Sequence, residues 1–223
     1  MTTPAHAIQT ALRWRVAVTD RAFDRLYPED VRQRSSVHWT PVAVARRAAA
    51  WLVPEVGTRV LDVGSGPGKV CCIGALSHGG TWHGVERDPA LVEIAQATAA
   101  ALEIERSATF RAAEMDEVDW SGFDSFYFYN PFAAILFGPA PFEQDVRWSM
   151  LTEQIARTET RLAALPVGTR VVIYQGFGGD MPAGYAVAET EMFGDAQLVL
   201  WVKRRSRRRQ NGPTVSPSSR SGR

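Results

Sequence analysis

The chain has 223 residues, 45% of them hydrophobic, and a net charge of +1. That is enough apolar material for one domain with a sizeable core. No run of 18 or more apolar residues occurs, so no membrane span is expected. Met1 to Asp20 lacks the continuous apolar stretch of a secretory signal. Cys71 and Cys72, the only cysteines, are adjacent and suit neither a structural disulfide nor a zinc site, so no metal is implied and a reducing cytoplasm is the expected setting. The charge is uneven. Lys203, Arg204, Arg205, Arg207, Arg208, Arg209, Arg220 and Arg223 are unopposed by any acid, which leaves the preceding body at −7. An acidic body argues against a long nucleic-acid groove. The basic tail reads as a soluble disordered segment, with phosphate-backbone binding as the alternative.

Residues 4–34 look helical, with Trp14, Val18, Phe23 and Leu26 near helical spacing. Thr40-Pro41 then reads as an N-cap followed by proline at the first helical position, starting a helix through Leu52. Beyond Gly57, short apolar runs alternate with helical patterns. Strands are predicted at 58–63, 81–86, 107–112, 124–130, 168–174, 184–192 and 196–204. Helices are predicted at 68–78, 89–104, 132–138 and 144–165. Such alternation implies an α/β, doubly wound, mostly parallel sheet. Phe193-Gly194-Asp195 is too short for a crossover, so the last two strands form an antiparallel hairpin at the sheet edge.

The densest signal is Asp62-Val63-Gly64-Ser65-Gly66-Pro67-Gly68, at the end of the first predicted strand. Glycines at alternate positions permit a sharp turn and close approach of a ligand. The following helix start offers free amides. Glu86, ending the second strand, has two acceptor oxygens for the paired hydroxyls of a ribose. A dinucleotide fingerprint would need a glycine where Lys69 stands.

The D-x-G-x-G-x-G order resembles motif I of the class I (Rossmann-like) S-adenosylmethionine-dependent methyltransferases. Gly84-Val85-Glu86-Arg87-Asp88 resembles their second acidic segment, and Ala113-Glu114-Met115 sits where they contact adenine. The resemblance covers about residues 40–204. It implies a seven-stranded sheet, six strands parallel and one reversed, with S-adenosyl-L-methionine as cofactor. It further implies that Asp62 orients the loop and reaches the methionine ammonium, and that Gly64 and Gly66 lie against the methionine. Glu86 would hold the ribose. Glu114 would accept from the adenine amino group, with Asp116 and Glu117 as substitutes. The Met115 amide would meet adenine N1, its side chain packing on the ring. Ser65, Gly68 and Arg87 complete the expected cofactor set.

The second signal is Tyr129-Asn130-Pro131-Phe132, at the end of the fourth strand. In an open α/β sheet that end faces the ligand crevice. Asn130-Pro131-Phe132 resembles the (D/N/S)-P-P-(Y/F) motif of amino-methylating enzymes, one proline short. The resemblance implies that Asn130 accepts from the target amine, also touching the cofactor, while Phe132 packs over the target. Residues 1–39 are expected to form a helical lid, with Thr40 bonding the cofactor carboxylate and Trp39 or Tyr27 helping to cover it. Lys69 reads as solvated. The glycines of 175–180 suggest a loop at the same crevice. These features predict methyl transfer to a nucleophile, an amine nitrogen above others, of a small molecule or protein. The alternatives are a catalytically degenerate binding module and a nicotinamide-dependent oxidoreductase.

Overall fold

The computed structural model describes residues 3–133, 135 and 143–205. The predicted helix at 132–138 falls mostly outside the described residues, and so does the basic tail after Arg205.

The region predicted as helical over 4–34 is a series of short pieces: α1 (Pro4–Arg13), α2 (Asp20–Phe23), a single 3₁₀ turn and α3 (Glu29–Gln33). The break after α1 is made by Arg15 at φ +56°, and it leaves Trp14 on the surface, 79% exposed. α4 (Ser35–His38) and α5 (Val42–Leu52) follow. From there, β1 (Arg59–Val63), α6 (Lys69–His78), β2 (Thr81–Glu86), α7 (Pro89–Ala101), β3 (Ala108–Ala112) and β4 (Ser125–Tyr129) alternate. The chain closes with α8 (Gln144–Ala164), β5 (Arg170–Tyr174), β6 (Tyr185–Phe193) and β7 (Ala196–Lys203). All seven predicted strands are present, within two residues at each end.

The sheet order is β3-β2-β1-β4-β5-β7-β6. β7 alone runs against the others, since it pairs antiparallel with both β5 and β6. The reversed strand therefore lies within the edge hairpin, and β6 is outermost. The order reverses between β1 and β4, and a crevice opens at the C-terminal ends of strands flanking such a point. The glycine loop after β1 and the Asn130 turn after β4 meet there because β1 and β4 are paired in register, Val63 opposite Phe128.

Two apolar clusters sandwich the sheet. One gathers α1, α5, α6 and α7 around Leu12, Leu52, Ile73 and Trp82. The other packs α8 and the turns near Trp120 against Phe126, Phe128 and Val171. Gly68 caps α6 at φ +78°, where a Cβ would stand 2.6 Å from the Phe110 ring and 2.9 Å from the Ala95 methyl. Gly68→Ala therefore combines left-handed strain with overpacking. It is expected to cost about 2–4 kcal/mol, read as a lower urea midpoint at unchanged slope.

Candidate cofactor and acceptor site

Residues 64–68 fold back onto β2. The Gly64 and Ser65 amides donate to the Val85 carbonyl at 2.9 and 3.0 Å. The Gly66 amide donates to Glu86 Oε2 at 3.1 Å, and the Asp88 amide to Oε1 at 3.0 Å. Each Glu86 oxygen thus holds one backbone N–H and keeps lone-pair capacity for another donor. The carboxylate is fixed at the lip of the loop, partly exposed. Arg87, next to it, is exposed. Ser65 turns inward. Its hydroxyl is buried without a partner, and a Cβ on Gly84 would meet it at 2.5 Å. Its side chain therefore faces β2 rather than the crevice.

Asp62 lies beneath the loop, 2% exposed. Cys71 Sγ donates to its Oδ2 at 3.5 Å. Burial pushes its carboxyl up to about 7; the Cys71 bond opposes that rise, and the nearby Glu86 charge adds to it. The Tyr27 hydroxyl is buried and unpartnered, with Cys71, Cys72 and Asp24 among its electrostatic neighbours.

Trp39 lies directly over the loop. A Cβ on Gly66, at φ +53°, would meet its ring at 2.8 Å. Its indole N–H donates to the Val31 carbonyl at 3.2 Å. Thr40 does not act as the α5 cap. Its buried hydroxyl pairs with the Tyr127 hydroxyl at 2.9 Å, which takes it away from the expected cofactor carboxylate. The cap comes from Asp20, whose Oδ1 accepts from the Val42 amide at 2.9 Å.

Lys69, expected to be solvated, is 2% exposed. Its ammonium donates to Asp20 at 2.7 Å, Asp24 at 2.8 Å and the Ser35 hydroxyl at 3.3 Å. These three upstream groups, with the Phe23 ring 5.8 Å from the ammonium, offset the cost of its burial.

At the adenine end, Glu114 is exposed and forms a reciprocal capping box with Glu117 around the turn Met115–Glu117. Asp116 is engaged by Arg157 and Arg161. Met115 departs from expectation. Its side chain is buried in the α8-side cluster, with the Thr158 hydroxyl 3.7 Å from its sulfur. Alternation along the turn sends it into the core, leaving only its backbone for a base.

Across the loop, Pro131 lies 3.4 Å from the Cβ position of Gly64. Asn130 is exposed, at φ +42°, a left-handed conformation that asparagine tolerates better than most residues. Its amide donates to the Gly176 carbonyl at 3.3 Å. Phe132 is buried in the α8-side cluster rather than turned to the crevice, because the turn carries it back under α8. An aromatic group that sequence reasoning missed stands closer to the lid. Tyr129 is half-buried, 5.0 Å from the Tyr174 ring, and its hydroxyl donates to the Val37 carbonyl at 3.4 Å. It reads as core in the run Phe126 to Tyr129, and only its place at the strand end distinguishes it. The 175–180 loop is at the crevice, anchored to α8 by the Asp180 amide on Glu159 at 2.8 Å. Between it and β7 lies a cleft of about 350 Å³, lined by Gln175, Gly176, Phe177, Met181, Gln197 and Trp201 among others.

A family model described as "Methyltransferase domain" matches residues 54–144, the stretch from the end of α5 to the start of α8. Residues 54–144, somewhat under half of the chain, are thus similar to a methyltransferase domain, and they lie in the seven-stranded fold described above. Solved methyltransferase-fold structures agree. An RNA methyltransferase from Salinibacter ruber, in complex with S-adenosyl-L-homocysteine, is 22% identical with a TM-score of 0.53, over 78% of this chain and 99% of that one. TrmN from Thermus thermophilus is 17% identical with a TM-score of 0.55, over 77% and 52%. The Escherichia coli protein yhhF is 16% identical with a TM-score of 0.53, over 73% and 86%. At these identities the likeness is one of fold. No curated protein matches the sequence. The methyltransferase match replaces the nicotinamide-dependent alternative.

The cofactor of such a domain is S-adenosylmethionine, and the residues present fit it. Glu86 is held at the loop with acceptor capacity to spare, and an unpartnered Tyr27 hydroxyl is buried on the lid side. Bound there, the cofactor supplies an activated methyl group on a positively charged sulfur. Among the described residues, no helix is long and apolar enough to cross a membrane.

Proposed function

We propose that this methyltransferase transfers methyl to an amine nitrogen of a small molecule, or of a side chain small enough to enter the crevice. The observation that carries the reading is the placement of Asn130. It is exposed at the end of β4, held by the Gly176 carbonyl, with Pro131 against Gly64 of the cofactor loop. The Asn130 side-chain oxygen accepts from the amine N–H and aims the nitrogen lone pair along the transfer line. A neutral amine then needs positioning rather than a strong base. Its new ammonium loses a proton to solvent. The cleft of about 350 Å³ beside Gly176, whose carbonyl accepts from the Asn130 backbone amide, is at the small end of ligand pockets, which favours a compact acceptor.

The same reading assigns the cofactor's contacts. Glu86 takes the ribose hydroxyls, Glu114 and the Met115 backbone the adenine edge, and Asp62 the methionine ammonium. The last assignment has a pH signature. Free protein holds a proton on Asp62 up to about pH 7; an ammonium beside it stabilises the ionised form, so binding expels that proton. S-adenosylhomocysteine affinity is therefore expected to rise about tenfold per pH unit from pH 5 towards 7 and then level off. Calorimetry in buffers of different ionisation enthalpy should show proton release near pH 6. A flat affinity from pH 5.5 to 7.5 removes Asp62 from this role.

The function itself is tested with methyl-labelled S-adenosylmethionine and fractionated cell extract, following label into small-molecule, protein and nucleic-acid pools. Label in an amine of the first two pools supports the proposal. Label confined to nucleic acid overturns it in favour of a substrate class like that of the Salinibacter enzyme. Cofactor binding without transfer to any pool supports a degenerate binding module.

A further inference from the structure

We propose that Lys69 is a positioning residue that clamps the segment 19–42 onto the glycine loop, so that cofactor residence time is set by the ion cluster around its buried ammonium. The inference rests on the cofactor reading above and goes beyond it.

Lys69 is the first residue of α6, a place where the helix dipole disfavours a cation. Every polar partner of its ammonium comes from the upstream segment: Asp20, Asp24 and Ser35. Asp20 does double duty. The oxygen that accepts from Lys69 also accepts from the Val42 amide, which opens α5. The cluster therefore ties α2, α5 and α6 at one point. The chain between these ties carries Trp39, and Trp39 is the group seated on Gly66. Two further bonds fix it to the same segment and to the sheet, its indole N–H to Val31 and the neighbouring Thr40 to Tyr127.

Trp39 is half-buried, packed in part on the core cluster of α1, α5, α6 and α7 and 5.8 Å from the His38 ring. It borders a cleft of about 490 Å³, with Asp20, Asp24, Ser35 and Ser36 among the other lining residues. A swing of the indole off Gly66 into that space gives up its core packing and its bond to Val31. The ion cluster at the cleft wall holds in place the segment that makes those contacts. One ammonium faces two carboxylates, so removing it leaves two acids repelling each other, one of them buried. The seam then opens at the lid.

The test measures S-adenosylhomocysteine dissociation and hydrogen exchange in the full chain. Lys69→Met is expected to raise the dissociation rate at least tenfold and to speed exchange across residues 19–41. Asp24→Asn, which leaves one carboxylate on the lysine, should give a smaller change in the same direction; it also carries the test if Lys69→Met fails to fold. Trp39→Ala should raise the dissociation rate as much as Lys69→Met. Combining the two should add less than threefold, because the lysine acts through the indole. The proposal is overturned if exchange over 19–41 rises while dissociation stays at the wild-type rate, or if the two substitutions multiply. Wild-type protein that binds no S-adenosylhomocysteine would instead overturn the cofactor reading beneath it.

Discussion

Glu86→Ala is expected to weaken S-adenosylhomocysteine binding about 100-fold while leaving the melting temperature within a few degrees. The carboxylate already holds the Gly66 and Asp88 amides at 3.1 and 3.0 Å, so it is fixed before any ligand arrives. A diol adds one donor to each oxygen at little further ordering cost. Hydrogen bonds to a charged group contribute about 1.5–3 kcal/mol each. Losing two, with water partly replacing the backbone contacts, comes to roughly 3 kcal/mol, or about two powers of ten. Glu86→Gln keeps one acceptor oxygen and should fall between, at about tenfold. Titration calorimetry on the three proteins decides it. An affinity for Glu86→Ala within threefold of wild type would show that the ribose lies elsewhere. A collapse of the melting temperature would show instead that the two backbone contacts are the residue's main work.

The glycine loop, Glu86 and the strands themselves were legible because each is a local signal. A strand's apolar run, a turn's glycines and a helix start are written within about thirty residues. The lid was legible only in outline. Lys69 looked solvated because its partners lie 34 to 49 residues upstream and no spacing rule links them. The α5 cap was missed for the same reason. Thr40 has the right type and place for it, yet the bond comes from Asp20, and Thr40 pairs with Tyr127. Met115 and Phe132 were misjudged by resemblance. A motif fixes which residues stand at a strand end, but the tightness of the following turn decides which side chains face the crevice. In both segments the apolar member of the motif went into the α8-side cluster. The polar members, Glu114 and Asn130, stayed exposed. Hydrophobic burial explains that division without reference to function, so the exposed pair is the more informative half of each motif.

Asn130→Ala is expected to lower kcat about 100-fold with a much smaller change in S-adenosylhomocysteine affinity. Substitution here alters two things at once, because the residue supplies both an acceptor oxygen and a left-handed turn at φ +42°. Glycine separates them. Asn130→Gly keeps the backbone conformation at no steric cost and removes only the oxygen. Asn130→Asp keeps an oxygen and tolerates the turn. If the side chain aims the amine, alanine and glycine variants should lose kcat together, since a misdirected lone pair forfeits the orientation term, while aspartate retains most of it. If the turn alone matters, glycine should behave as wild type and alanine should fail. That second outcome would reduce Asn130 to a hinge that sets Pro131 against Gly64, and the acceptor contact would pass to the neighbouring 175–180 loop. The comparison needs only the labelled pool found with wild-type enzyme, and its two outcomes cannot be confused with loss of folding. Folding loss would remove cofactor binding as well, whereas both readings of Asn130 leave Glu86 and its two backbone contacts intact.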